Sequence, residues 1–184
     1  MKNKYFERSA SKFTELQRKF FVRTSAVLAL IMLLGSSAVA QSLHSQYTFS
    51  TTSGTYTAIT GGTQLWTSAN MGTDGVSAAI TIPSFTFNGT AYTSIYVNNN
   101  GYLTFGATAP TASGYTAISG TTAYSGAVAA FAGNLIASTV SGSACEVRSE
   151  NLSGSSEFVV QWTDVARNLL AANDRFNFQI RLNY

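Results

Sequence analysis

Ten residues, Val97-Asn98-Asn99-Asn100-Gly101-Tyr102-Leu103-Thr104-Phe105-Gly106, restrict the fold of this chain more than any other stretch. Asn and Gly accept positive φ at little cost, so Asn100-Gly101 can reverse the backbone where a β-branched residue could not. Ile95 and Val97 before the turn, and Leu103 and Phe105 after it, recur at period two, which puts each pair on one face of its strand. The stretch therefore predicts a β-hairpin. Just upstream, Asn88-Gly89 lies between Phe85-Thr86-Phe87 and residues 92–97, the pattern of a two-residue type I′ turn. Two hairpins in succession make a meander.

The N-terminal forty residues follow different rules. Seven Lys/Arg precede an apolar run from Ala26 to Leu34, which is followed by Gly35-Ser36-Ser37 and the small-x-small triplet Ala38-Val39-Ala40. This is the pattern of a helical secretory signal peptide over residues 1–40, with cleavage expected before Gln41. A spanning helix needs about 20 apolar residues, and Arg23 interrupts the run. The membrane is thus expected to matter only during export. Seven of the eleven Lys/Arg and two of the eight Asp/Glu lie in residues 1–40, leaving four basic and six acidic residues in 41–184. The basic pI of the whole sequence, about 9.1, belongs to the export signal. Residues 41–184 carry no Lys/Arg stripe of the kind nucleic-acid binding requires. Ser, Thr, Asn and Gly must supply most of the polar surface.

Cys145 is the only cysteine, so no intramolecular disulfide forms, and its expected place is a buried strand position rather than a nucleophile's. His44, the only histidine, falls near the new N-terminus without an orienting partner. Short strands are expected at 47–50, 55–59 and 76–82, the last stopped by Pro83, which cannot donate to a ladder. Residues 127–132 read as a strand buried on both faces, and 145–149 as another. Glu157 to Thr163 places Phe158, Val160 and Trp162 on the core face, while 165–173 has room for one turn of helix. In the last segment Phe176, Phe178, Ile180, Leu182 and Tyr184 alternate with polar residues, the pattern of a core strand. A strand so apolar normally pairs with a successor, so residues 41–184 are expected to form a β-sandwich domain that lacks its C-terminal strand or strands.

Candidate sites are few. No catalytic residue, no metal ligand set and no cofactor is implied. Asn70 and Asp74 lack the spaced acidic partners of a calcium loop, and an Asp-Gly turn explains them. Glu146 and Glu150 share one face of a strand about 13 Å apart, beyond the roughly 5 to 9.5 Å that glycoside hydrolysis requires. Asn88-Gly89-Thr90 and Asn151-Leu152-Ser153 match the glycosylation acceptor pattern, which is frequent by chance. Aromatic residues offer more. Tyr92 and Tyr96 share the strand face opposite Ile95 and Val97; with Tyr102, and with Tyr115 and Tyr124 from the long connection 107–126, they are the candidate ligand-binding residues.

Residues 85–106, Phe158-Val159-Val160-Gln161-Trp162 and Phe176-Asn177-Phe178-Gln179-Ile180-Arg181-Leu182 together resemble the β-sandwich modules near the N-termini of secreted multidomain surface proteins of Bacteroidota. Nidogen-like and concanavalin-like sandwiches share that general shape. The resemblance implies an all-β, antiparallel, jelly-roll-like sandwich, secreted or held at the cell surface, with further domains of the natural protein following Tyr184. It carries over no catalytic residue, because the matching motifs are structural. The function expected is a non-enzymatic binding or adhesion module for a glycan or a surface protein. The alternatives are a structural spacer without its own ligand and, below both, a fragment of a carbohydrate-active enzyme, since fold alone does not establish activity.

Overall fold

A computed structural model describes residues 47–118, 124–168 and 174–184. The signal-peptide reading and His44 lie outside these residues. The protein divides into two compact units, Met1–Gly54 and Thr55–Tyr184. Residues 47–54 of the first carry no regular secondary structure. All strands described fall in the second unit: β1 (Thr63–Thr67), β2 (Ile80–Phe87), β3 (Thr90–Asn98), β4 (Tyr102–Phe105), β5 (Gly126–Ala129), β6 (Leu135–Ala137), β7 (Glu146–Leu152), β8 (Glu157–Arg167) and β9 (Phe176–Asn183).

They form two antiparallel sheets. One has the order β2-β3-β4-β5. In the other, β8 is central. Val165 pairs with both Ala137 of β6 and Phe176 of β9, so those two strands lie on opposite edges of β8. β7 takes the same edge as β6 and carries β1 on its far side. The all-β antiparallel sandwich expected from the meander and the terminal alternation is what forms.

The inner faces supply one core. Ile95, Val97, Leu103 and Phe105 of the first sheet meet Val147, Phe158, Val160, Trp162, Ile180 and Leu182 of the second. Both predicted turns are present: Asn88 and Gly89 have φ of 50° and 75°, both positive as a type I′ turn demands, and Gly101 closes the β3–β4 turn at 93°.

Several local expectations fail for identifiable reasons. Residues 47–50 and 55–59 are not strands; 55–61 is instead an irregular strap held by side chains. Pro83 does not stop its strand, because β2 is an edge strand and its register with β3 shifts between Thr81 and Phe85, so the missing N–H falls in a bulge. Residues 126–129 are half-buried on an edge rather than buried on both faces. Residues 165–167 extend β8 and are not helical, while 169–173 lie outside the described residues. Leu65-Trp66, not assigned to a strand from the sequence, sits in β1.

β8 bends at a second bulge, where its register with β9 shifts between Trp162 and Val165 and Asp164 adopts φ 49°. The Asp164 carboxylate is buried. It accepts from Arg175 Nε at 2.6 Å and Nη2 at 2.9 Å and from the Ala144 amide at 2.8 Å. Chiefly the Arg175 hydrogen bonds hold its pKa below the usual carboxylate range, against an opposing desolvation. A depressed folded pKa stabilises the fold above the unfolded value of about 3.9, and that stabilisation is lost as pH falls through the folded value. Asp164→Asn is expected to cost about 2 kcal/mol at pH 7. It should also shrink the loss of stability on going from pH 5 to pH 3, measured by urea unfolding; an acid limb unchanged from the parent would refute this.

Candidate functional site

The Asn-rich turn is a polar hub buried at one end of the sandwich, with Asn98, Asn99 and Asn100 all 0% exposed. Asn98 Nδ2 donates to the Tyr102 hydroxyl at 2.9 Å and to the carbonyls of Thr111 and Ala112 at 3.1 and 3.0 Å. Asn99 binds the 73–75 loop through Thr73 O and Gly75 N, both at 2.9 Å. Its own carbonyl accepts from Trp162 Nε1 at 3.1 Å. Asn100 Oδ1 accepts from the Leu135 amide at 3.0 Å, and its Nδ2 donates to Asp74 Oδ1 at 3.1 Å. Amide side chains suit this place because each offers donors and an acceptor without a charge to desolvate. The turn thus ties three loops and the opposite sheet to one point.

Three of the five candidate tyrosines serve that same end. Tyr102 is 1% exposed, and burial, followed by the proximity of Tyr124 and Asp74, pushes its hydroxyl up to about 12. Tyr115 donates to Asp74 Oδ2 at 2.8 Å, which raises its own pKa. Tyr124 donates to the Ala117 carbonyl. Asp74 is thereby occupied on both oxygens, and Asn70 Oδ1 accepts from the Thr67 amide at 2.7 Å. The other two tyrosines lie apart from this group. Tyr92 packs its ring on Phe105 with centroids 5.1 Å apart, beside Phe85 and Phe87 at 5.6 and 4.8 Å from the same ring. Strict alternation puts Tyr92 opposite Ile95, but the β2 bulge adds twist and the hairpin tip carries its rings onto the core. Tyr96 is partly exposed, with its hydroxyl 3.4 Å from the Ala107 carbonyl. The structure therefore does not bring the five together on one platform.

A different surface is concave. On the outer face of the β7-β8-β9 sheet, cross-strand rows run Arg148–Gln161–Gln179 and Glu150–Val159–Arg181. The strap 55–61 crosses these rows. Gln161 acts on it as a neighbouring strand would: Oε1 accepts from the Ile59 amide at 2.8 Å and Nε2 donates to the Ile59 carbonyl at 3.2 Å. Gln179 Nε2 donates to Thr57 O at 2.9 Å, and Arg148 Nη1 reaches Thr60 O and Gly61 O at 2.9 and 2.7 Å. A Cβ at Gly61 would push the Glu150 carboxylate aside, and at Gly62, with φ 74°, it would collide with the Ser149 carbonyl, so the strap end passes close against β7. Between the strap and the sheet opens a cleft of about 600 Å³ whose walls include Tyr56, Thr57, Glu150, Glu157, Gln179 and Arg181.

None of these residues was a sequence candidate for ligand binding, and Glu150 was weighed only as half of a carboxylate pair, although a signal existed. Val159 is an apolar residue in the outward register of β8 and is fully buried, which requires a cover that the alternation alone does not supply.

The charges are internally paired. Each of the four arginines in 41–184 meets a carboxylate: Arg148 with Glu146 at 2.8 Å, Arg167 with Asp174 at 2.6 Å, Arg175 with Asp164 at 2.6 Å and Arg181 with Glu157 at 2.7 Å. Arg148 hydrogen bonding holds Glu146 below its ordinary range, as Arg167 does for Asp174. Such carboxylates are poor proton donors at neutral pH. Cys145 is buried, and desolvation, then the Asp164 charge, pushes its thiol up to about 11, so it stays protonated. Among the described residues no group of three His, Cys, Asp or Glu is placed to hold a metal.

A family model described as NIDO related matches residues 46–183, and the chain belongs to that family. No curated protein and no solved structure matches it.

Proposed function

We propose that this NIDO-related sandwich is a non-catalytic, extracellular binding or adhesion module whose contact surface is the strap cleft. The observation that carries this reading is the cleft itself: a concavity of about 600 Å³ lined by polar side chains already fixed by strap and sheet. Wall side chains that are hydrogen-bonded in place before a partner arrives limit the ordering cost of binding. The export pattern of residues 1–40 supports an extracellular setting. Partners in that setting are a glycan or a surface protein, with further domains after Tyr184 displaying the module. An in-frame stop directly after the Tyr184 codon in the natural gene would count against such display.

The exported protein, coupled to beads and passed over immobilised glycoprotein under flow, tests the reading. Arg181→Ala and Glu157→Ala, which break one ion pair on the cleft wall, are expected to reduce bead retention at least severalfold while leaving the fold intact. A spacer without its own ligand predicts no retention to begin with. The burial of Tyr102 and the internal hydrogen bonds of the Tyr115 and Tyr124 hydroxyls favour that second reading, since they leave fewer polar groups of these tyrosines for a partner. Retention that ignores the cleft substitutions would remove the cleft from consideration.

A further inference from the structure

Resting on the reading of the cleft as the contact surface, we infer its ligand class: a neutral, hydroxyl-rich oligosaccharide. The groups on the walls decide this by charge first. Glu150 and Glu157 bring two negative charges and Arg181 one positive charge. Arg181 is already committed, with Nη1 on Glu157 at 2.7 Å and Nε on Gln179 Oε1 at 2.9 Å. An anionic ligand would meet a net negative site whose one cation already has Glu157 as its counter-ion. Uronic acids, sialic acids and phosphates are excluded on that ground.

Hydrogen-bonding capacity decides next. The carboxylates and the strap carbonyls are acceptors, Thr55 and Thr57 carry hydroxyls that donate or accept, and the Ser155 hydroxyl, which donates to Leu152 O or Glu157 Oε2, can still accept. A ring of secondary hydroxyls supplies the matching donors and acceptors without a charge to desolvate. An extended peptide fits less well, because peptide grooves discriminate through pockets for alternate side chains. Of the apolar wall residues, Ile59 is only 6% exposed with its backbone spent on Gln161, which leaves the small Ala58 and the half-buried Leu152.

Shape supplies the third element. Tyr56 is 45% exposed and stands on the strap at the cleft wall. A half-open aromatic face beside fixed polar groups suits the apolar face of a pyranose ring, since the ring offers contact area at low entropic cost. Glu150 is held in place by the Gly61 amide at 3.2 Å and by the close passage of Gly61, so the site is ordered before the ligand arrives.

The test is an amide NMR titration of the exported protein with neutral xylotriose, mannotriose and cellotriose, and with trigalacturonic acid as the charged counterpart. At least one neutral trimer is expected to shift the amides of Tyr56, Thr57, Gln179 and Arg181, and the acid to leave them in place. Tyr56→Ala should weaken the neutral sugar about tenfold, whereas Tyr56→Phe, which keeps the ring, should stay within about twofold. Silence from every neutral trimer, shifts confined to other surfaces, or tighter binding of the acid would each overturn the inference. If no sugar binds but bead retention still depends on the cleft, the ligand class is wrong and the contact surface stands. If both fail, both readings fall.

Discussion

Asn100→Leu is expected to destabilise the domain by about 4 kcal/mol, although the two side chains have nearly the same shape. The cost comes from the partners left behind. Asn100 is fully buried and satisfies the Leu135 amide at 3.0 Å, the Ala112 carbonyl at 3.2 Å and one oxygen of Asp74 at 3.1 Å. Leucine leaves all three without this partner; the buried Leu135 amide then costs about 1 to 3 kcal/mol, and the part-buried Ala112 carbonyl and Asp74 oxygen add smaller costs to the loss of the polar hub. Asn100→Asp separates the contributions. It keeps the acceptor for Leu135 but sets a second carboxylate against Asp74, so it should be destabilising at pH 7 and recover as the carboxylates protonate. Urea unfolding at pH 7 and pH 4 checks both. A leucine variant within 1 kcal/mol of the parent would show that the hub does not hold the loops.

Trp162→Ala should have an effect of similar size, about 4 kcal/mol. Trp162 is fully buried on the inner face of β8, stacks on Phe178 at a centroid distance of 5.1 Å and donates to the Asn99 carbonyl. Alanine leaves a cavity between the sheets and an acceptor short of its donor. Trp162→Phe restores most of the volume without the N–H, so the difference between the two variants isolates packing from the hydrogen bond. Against a total stability of about 5 to 15 kcal/mol, the alanine variant is expected to melt far below the parent, measured by circular dichroism. Asn100 and Trp162 meet through Asn99, so the double variant should cost less than the sum of the singles.

The sandwich was legible because its strands obey period two almost without interruption. Ile95 with Val97, Leu103 with Phe105, Phe158 with Val160 and Trp162, and the run from Phe176 to Leu182 all face the core as the alternation places them. Local pattern failed where two segments distant in sequence had to be known together. The strap looked like a strand because Thr55 to Ile59 alternates, yet its backbone partner is the side chain of Gln161, 102 residues away from Ile59. The same limit applies to the tyrosines. Tyr102 and Tyr115 are indistinguishable from surface aromatics until Asn98 and Asp74 are found beside them. The Asn-rich turn was legible as a hairpin, but its burial follows from loops that pattern alone does not place. The cleft is the extreme case, since its walls come from the strap, β7, β8 and β9.

The strap also settles how this domain would meet mechanical load. Tension entering at Thr55 falls first on the bonds that Gln161, Gln179 and Arg148 make to the strap backbone. Tension entering at Tyr184 falls on β9, whose Gln179 makes one of those same bonds, and on its ladder with β8. Both points of attachment bear on one sheet, the first through the strap bonded across it and the second through its own strand β9. The β2-β3-β4-β5 sheet and the buried asparagines stand off the line of force, so a tethered molecule could lose its strap, and with it the cleft, while most of its core stayed folded.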